Sequence, residues 1–235
     1  MRIVPVMDLL DGTVVHAVGG EREKYEPVDS VLTNTADPLK IASKFEEIGF
    51  KDTYIADLNA IQEVGENLDV VERLASETDL DLIVDAGFKS SDEVAPYKER
   101  DIYRAVLATE TLESFEEVRR TVEEHSLPVT GSIDVKEGEV LTKFLGELTV
   151  TESVRKFEEA GVGDLILLNL KRVGSSGGPD LELLTRVIEA ADVPILTGGG
   201  IRDTEDLERL KKRGAAGALV ATALHSGSIE LNQVG

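Results

Sequence analysis

Asp8-Leu9-Leu10-Asp11-Gly12-Thr13-Val14-Val15 and Asp134-Val135-Lys136-Glu137-Gly138-Glu139-Val140-Leu141 share a leading acid, an acid–glycine pair and a closing apolar pair at an offset of 126 residues (8 to 134). A second pairing sets Gly87-Phe88-Lys89-Ser90-Ser91-Asp92-Glu93-Val94 against Gly200-Ile201-Arg202-Asp203-Thr204-Glu205-Asp206-Leu207, matched class for class at an offset of 113 residues (87 to 200). That register persists to Ala108-Thr109 against Ala221-Thr222. Two related halves imply a duplicated barrel, with Asp8 and Asp134 facing each other across one mouth.

Working outward from these stretches, eight short apolar runs recur, over residues 3–7, 53–56, 82–84, 103–107, 129–133, 165–168, 195–197 and 218–221. Near-continuous apolar runs of this length are the mark of parallel strands buried on both faces. Between them lie patterns of helical period over 38–48, 68–76, 91–97, 112–124, 150–160, 181–190 and 204–213, the first capped by Asp37. Gly49, Gly161 and Gly214 stand where a left-handed C-terminal residue is needed. Strand followed by helix, repeated, gives a parallel α/β architecture, and the duplication favours a closed (β/α)8 TIM barrel over an open doubly wound sheet. At 235 residues the chain is close to the ~250 typical of one such barrel, so residues 1–235 are expected to form a single domain. The longest non-periodic stretch, residues 19–35, carries Arg22, Lys24 and Tyr25 and reads as a lid or binding loop. It accounts for most of a 13-residue excess of the first half: 79 residues separate Asp8 from Gly87, and 66 separate Asp134 from Gly200.

The net charge of −21, from 46 acids and 25 bases, argues against nucleic acid or an anionic membrane as partner. A phosphate-bearing substrate would have to be held by local dipoles against that field. There is no cysteine, which removes disulfides, thiol nucleophiles and thiolate metal sites. The start, Met1-Arg2-Ile3-Val4-Pro5, reads as a strand rather than a signal peptide, and no apolar run approaches the ~18 residues of a membrane span; a cytoplasmic protein is expected. His16, His125 and His225 are scattered, so no metal site is expected, and no cofactor is called for.

The strongest chemical signal is Thr197-Gly198-Gly199-Gly200-Ile201-Arg202-Asp203. Glycines at a strand end let backbone N–H groups approach an anion. The next strand ends at Ala221-Thr222, and Gly174-Ser175-Ser176-Gly177-Gly178-Pro179 can close over the same place. Loops after the seventh and eighth strands are the usual phosphate site of this barrel. Gly177, Gly178, Gly199, Gly200, Ala221 and Thr222 are therefore the candidate phosphate ligands. Asp8 and Asp134, each ending an apolar strand, are the catalytic candidates, because two carboxylates in different surroundings can divide acid and base work. Asp57, Asp85, Lys89, Glu110, Asn169 and Lys171, all just past strand ends, are candidate substrate contacts; Asp57 reads equally as a loop tether and Tyr54 equally as core.

Pro5-Val6-Met7-Asp8-Leu9-Leu10-Asp11-Gly12, Asp57-Leu58-Asn59-Ala60-Ile61, Ser132-Ile133-Asp134 and Gly198-Gly199-Gly200-Ile201-Arg202 together resemble the histidine-biosynthesis barrel family over nearly the whole chain. That family comprises a ribotide isomerase and the cyclase subunit of imidazole glycerol phosphate synthase, and the chain looks closer to the isomerase. The resemblance implies that Asp8 and Asp134 do acid–base work in turning an aminoaldose into an aminoketose. It also marks departures. Where the family binds a second phosphate in the first half, this chain has Asp85-Ala86-Gly87 and Thr109-Glu110; an acid expected after the sixth strand is Val173, and expected arginines are His16 and Lys89. The expectation is an isomerase of a phosphorylated aminosugar or ribotide carrying one phosphate, with hydroxyl, amine or other donors facing Asp85 and Glu110. Two other readings stand beside it: a lyase or condensing enzyme of cofactor biosynthesis, for which Lys171 is the candidate Schiff-base lysine, and a non-catalytic phosphate-ligand binder. The oligomeric state is left open.

Overall fold

The computed structural model describes residues 1–18, 24–175 and 177–229. Eight parallel strands close on themselves: β1 (Arg2–Leu10), β4 (Asp52–Asp57), β5 (Asp81–Asp85), β6 (Arg104–Ala108), β7 (Val129–Lys136), β9 (Asp164–Asn169), β10 (Ile195–Gly198) and β11 (Gly217–Val220). Closure is the parallel pairing of β1 with β11, from Arg2 against Gly217 to Pro5 against Val220. The expected (β/α)8 barrel is what forms. Its helices are α1 (Pro38–Ile48), α3 (Leu68–Glu77), α4 (Ser91–Lys98), α5 (Phe115–His125), α6 (Val150–Glu159), α7 (Leu181–Ala190) and α8 (Thr204–Lys212), with one-turn helices α2 (Leu58–Ile61) and α9 (Thr222–His225) after the second and eighth barrel strands. Side-chain caps start most of them: Asp37 accepts from the Lys40 N–H, Asp203 from Asp206, and Thr149 with Glu152 forms a capping box. Helix α5 begins three residues later than its pattern suggests, because Thr111 and Leu112 turn back to the Ala108 carbonyl.

The duplicated stretches are duplicated hairpins. β2 (Thr13–His16) folds back on β1, with Asp8 opposite Val15, and β8 (Glu139–Val140) folds back on β7, with Val135 opposite Val140. Their turns carry Asp11-Gly12 at φ 48° and 75° and Glu137-Gly138 at φ 56° and 90°. Two successive left-handed residues are what a two-residue hairpin turn demands, which is why both halves place an acid and a glycine there. A third short strand, β3 (Glu26–Pro27), pairs with β2.

Two apolar clusters hold the molecule. The larger lies between barrel and helices and includes Phe45, Phe88, Phe157, Leu74 and Ile133. The smaller plugs the barrel with Val4, Tyr54, Ile83, Val106, Ile166, Leu196 and Leu219, so the ring is a packed core and not a pore. The strand starts carry paired charges, Arg2 with Asp52 at 2.8 Å and Arg104 with Asp164 at 2.9 Å. At the strand ends, carboxylates instead face a cavity.

Candidate active site

That cavity, of about 590 Å³, opens at the C-terminal mouth. Asp8 from β1, Tyr54 from β4, Asp85 from β5, Glu110 after β6 and Asp134 from β7 line it on one side, and Gly198, Gly199, Gly200, Ala221 and Thr222 on the other. Its floor is apolar: Val6, Ala56, Leu168, Leu219 and Val220. The ring order sets β5 and β6 diametrically across from β10 and β11. The two repeats therefore meet at one opening, each supplying one aspartate.

Burial dominates the electrostatics of the three aspartates. Asp8 keeps part of its surface open to the cavity, yet the dense packing around it pushes its carboxyl up to about 7. Asp134 is raised well above the ordinary carboxylate range, by burial first and then by the charges of Asp85 and Glu110, against the opposing Ser132 hydroxyl and Glu110 N–H. Ser132 donates to Asp134 Oδ1 at 2.9 Å. Burial likewise lifts Asp85 to about 6, although the Gly87 N–H and the Tyr54 hydroxyl donate to it at 3.0 and 2.9 Å. Tyr54 is held well above its usual value by burial first and then by the charges of Asp85, Asp134 and Asp8, and its hydroxyl donates to Asp85. Of the two readings left open for Tyr54, it takes both: ring in the barrel core, hydroxyl in the cavity.

On the other side the backbone does the shaping. Gly199 and Gly200 take φ of 95° and 80°, and a Cβ on Gly200 would stand 2.5 Å from the Gly178 carbonyl oxygen. Only glycine permits that turn and that approach. The Thr222 hydroxyl is 3.1 Å from His16 Nε2, so a histidine passed over as a metal ligand sits beside the late loops. Arg202 lines the cavity, but Asp206 grips its guanidinium at 2.7 and 2.8 Å. Tyr25 reaches the lining from the long loop after β2, as a binding loop should; residues 19–23 of that loop, Arg22 among them, lie outside the described residues.

Several candidate contacts stand elsewhere. Gly177 and Gly178 do not line the cavity: their carbonyls accept from Arg172 Nη1 at 2.8 and 2.9 Å, and Gly174 and Ser175 reach the cavity from that strip instead. Asp57 is fully buried and saturated; it caps α2 through the Ala60 N–H and accepts from Asn67 and the Tyr97 hydroxyl. Asn67 and Asn59 in turn hold the Gly12 and Asp11 N–H groups, so Asp57 steadies the hairpin behind Asp8 rather than touching a ligand. Lys89 pairs with Glu63 at 3.0 Å, off the cavity lining. Asn169 donates to Asp180 at 3.0 Å, the cap of α7. Lys171 is largely exposed, 4.0 Å from Glu137, and does not line the cavity as a Schiff-base lysine must. Among the described residues no cluster of histidine and carboxylate side chains has the geometry to hold a metal ion, and no helix is long and apolar enough to cross a membrane.

A closed parallel barrel with a cavity at its C-terminal mouth lined by strand-end carboxylates belongs to the (β/α)8 class. Within that class the assignment is specific: the profile of the histidine biosynthesis protein family matches residues 2–230, and the chain belongs to that family. It is 35% identical over 236 residues to an uncharacterized protein of Methanocaldococcus jannaschii, covering 100% of this chain and 97% of that one. It is 30% identical over 236 residues to a 1-(5-phosphoribosyl)-5-((5-phosphoribosylamino)methylideneamino)imidazole-4-carboxamide isomerase of Natronomonas pharaonis, covering 98% and 95%. The enzyme of the same name from Jannaschia sp. is also 30% identical, over 239 residues and 99% and 98% of the two chains. The recognised family and the isomerase likeness both stand.

Proposed function

We propose that the protein is an isomerase that converts a phosphorylated aminoaldose, an aminosugar or ribotide, to the aminoketose, with Asp134 as acid and Asp8 as base. One observation carries the reading: two aspartates from equivalent strands line one cavity, each with its carboxyl lifted, Asp8 to about 7 and Asp134 well above the ordinary carboxylate range. Two lifted carboxyls in different surroundings can divide acid from base work. Asp134, whose protonated form burial favours, protonates the ring oxygen as the sugar opens and the substrate's own nitrogen forms the iminium at C1. Asp8, ionised in a large fraction of molecules at neutral pH, takes the C2 proton. The electron pair left behind becomes the C1=C2 bond of an aminoenol as the iminium π pair returns to nitrogen; Asp8 then gives its proton to C1 while the C2 hydroxyl gives its proton to Asp134, which yields the aminoketone with no atom gained or lost and both carboxyls restored.

The phosphate of this substrate is assigned to the cradle of Gly199, Gly200, Ala221 and Thr222, where the backbone N–H groups and the Thr222 hydroxyl supply donors. A single phosphate fits a cavity that has one such cradle. The relatives named as isomerases support the reaction type, and the exposed position of Lys171 counts against a lysine Schiff base. The test is turnover of the relatives' ribotide and of monophosphorylated aminoaldoses, followed by proton exchange at C2. Asp8→Asn and Asp134→Asn are each expected to lower turnover by roughly 10²–10⁴-fold while phosphate binding persists; undiminished turnover in both variants rejects the reading.

A further inference from the structure

The duplication also repeats in the strands that flank the middle of the mouth. β4 and β9 have the same length at an offset of 112 residues (52 to 164), and each runs straight into one helical turn, Leu58–Ile61 after the first and Leu170–Arg172 after the second. At that offset the cavity-lining side chains match in pairs: Ala56 with Leu168, Leu58 with Leu170, and Ile61 with Val173. β4 and β9 are the second and sixth of the eight barrel strands, so the pairs stand diametrically opposite each other across the mouth. All six side chains are hydrocarbon. Leu170 and Val173 are half-buried and belong to neither apolar cluster of the described residues, so their apolar surface faces the cavity and is not used in the core. A ligand with its phosphate in the β10–β11 cradle and its other end toward β5, β6 and β7 must pass between these two walls.

We propose that the β4 and β9 walls form an apolar clamp for an uncharged hydrocarbon group of the substrate, carried close to its phosphate, with Leu58, Ile61, Leu170 and Val173 as specificity-determining residues. This rests on the phosphate cradle assigned under the proposed function. A polar group held between the walls would give up hydrogen bonds to water and find none on the six side chains. A hydrocarbon face there displaces water from apolar surface on both of its sides. The neighbouring carboxyls register the same dryness, since burial is the first cause of the rise in Asp8, Asp85 and Asp134. The β9 wall also adjoins the cradle: a Cβ on Gly199 would stand 3.5 Å from the Val173 backbone nitrogen. A group attached near the phosphate therefore meets Val173 and Leu170 first, and Leu58 and Ile61 as it extends across the mouth.

Calorimetric titration tests this with inorganic phosphate, the alkyl phosphates from methyl to butyl, and glycerol phosphate as the hydroxylated match to the propyl ester. Affinity should rise about three- to fourfold with each added methylene until the gap is filled, with an increasingly negative heat-capacity change. The propyl ester should bind about tenfold or more tighter than glycerol phosphate. The Leu170→Ser/Val173→Ser double variant removes one wall and leaves both apolar clusters intact. In it the gain per methylene should fall below about twofold while inorganic phosphate binds as before. A flat series, glycerol phosphate binding as tightly as the propyl ester, or undiminished gains in the double variant overturns the clamp while the phosphate cradle survives. Should neither inorganic phosphate nor any ester bind, the cradle at β10–β11 is itself wrong, and the clamp falls with it. The ranking on the unaltered protein decides the matter even if the double variant does not fold.

Discussion

At Asp8, catalysis and stability pull against each other. Its carboxyl sits near 3.8 in the unfolded chain and about 7 in the fold, because burial favours the neutral form. Below about 4 both states hold the proton and there is no penalty. Between about 4 and about 7 the unfolded chain has released a proton that the folded one keeps, so stability declines with rising pH and levels off above 7. Asp8→Asn, a neutral isostere, should therefore stabilise the protein by roughly 2–4 kcal/mol at pH 8 and by almost nothing at pH 4, while turnover collapses. Urea unfolding at the two pH values checks it; an equal gain at both, or a loss at pH 8, contradicts the assigned burial. The same titration should give turnover an acid limb that rises toward pH 7 as Asp8 ionises, measurable as a pH–rate profile. Lys171→Ala should leave turnover unchanged, and borohydride should trap no adduct. The sequence revealed which residues end strands at this mouth, and so found Asp8, Asp85, Glu110, Asp134 and Gly199–Gly200. It did not reveal which way a side chain turns once past the strand. Asp57 turns back to cap α2, Asn169 to Asp180 and Lys89 to Glu63, each drawn by a partner remote in sequence or set by a turn that no local pattern encodes.

At the scale of elements, two glycines with the same backbone conformation play different parts. Gly12 sits at φ 75° with open space where a Cβ would go, while Gly200 sits at φ 80° with the Gly178 carbonyl oxygen 2.5 Å away. Gly12→Ala should cost only the left-handed strain, about 1 kcal/mol. Gly200→Ala adds a backbone collision and should cost roughly 2–4 kcal/mol, displace the loop and weaken inorganic phosphate binding. Paired unfolding and phosphate titrations separate the two; equal effects on both readouts would show that the loop contact shapes nothing. The contrast also explains what of the fold was legible. The eight barrel strands were readable because burial on both faces writes an apolar run, and the long helices because their inner faces repeat. The strands β2, β3 and β8 and helices α2 and α9 are two to four residues long, too short to carry a period. Helix α2 exists because the buried Asp57 caps it, a tertiary cause visible only once Asn67 and Tyr97 are seen to surround that carboxylate.

For the molecule as a whole, an excess of 21 acids over bases means the fold works against its own surface charge. Most of the acids are exposed, on the outer helices and the loops between them, whereas the two apolar clusters lie within and are indifferent to screening. Raising potassium chloride from about 0.01 M to about 1 M shortens the screening length from ~30 Å to ~3 Å, which removes repulsion between acids on neighbouring helices. The melting temperature should climb by several degrees and most of the gain should arrive below roughly 0.5 M, since screening saturates; a rise that stays linear in salt would point instead to solute exclusion from the surface. A flat or falling melting temperature would mean the surface ion pairs, such as Arg120 with Glu117 and Glu124, already balance the repulsion locally. The same field acts on a phosphate approaching the mouth. Its association rate should therefore rise with moderate salt, opposite in sign to the usual anion and basic site.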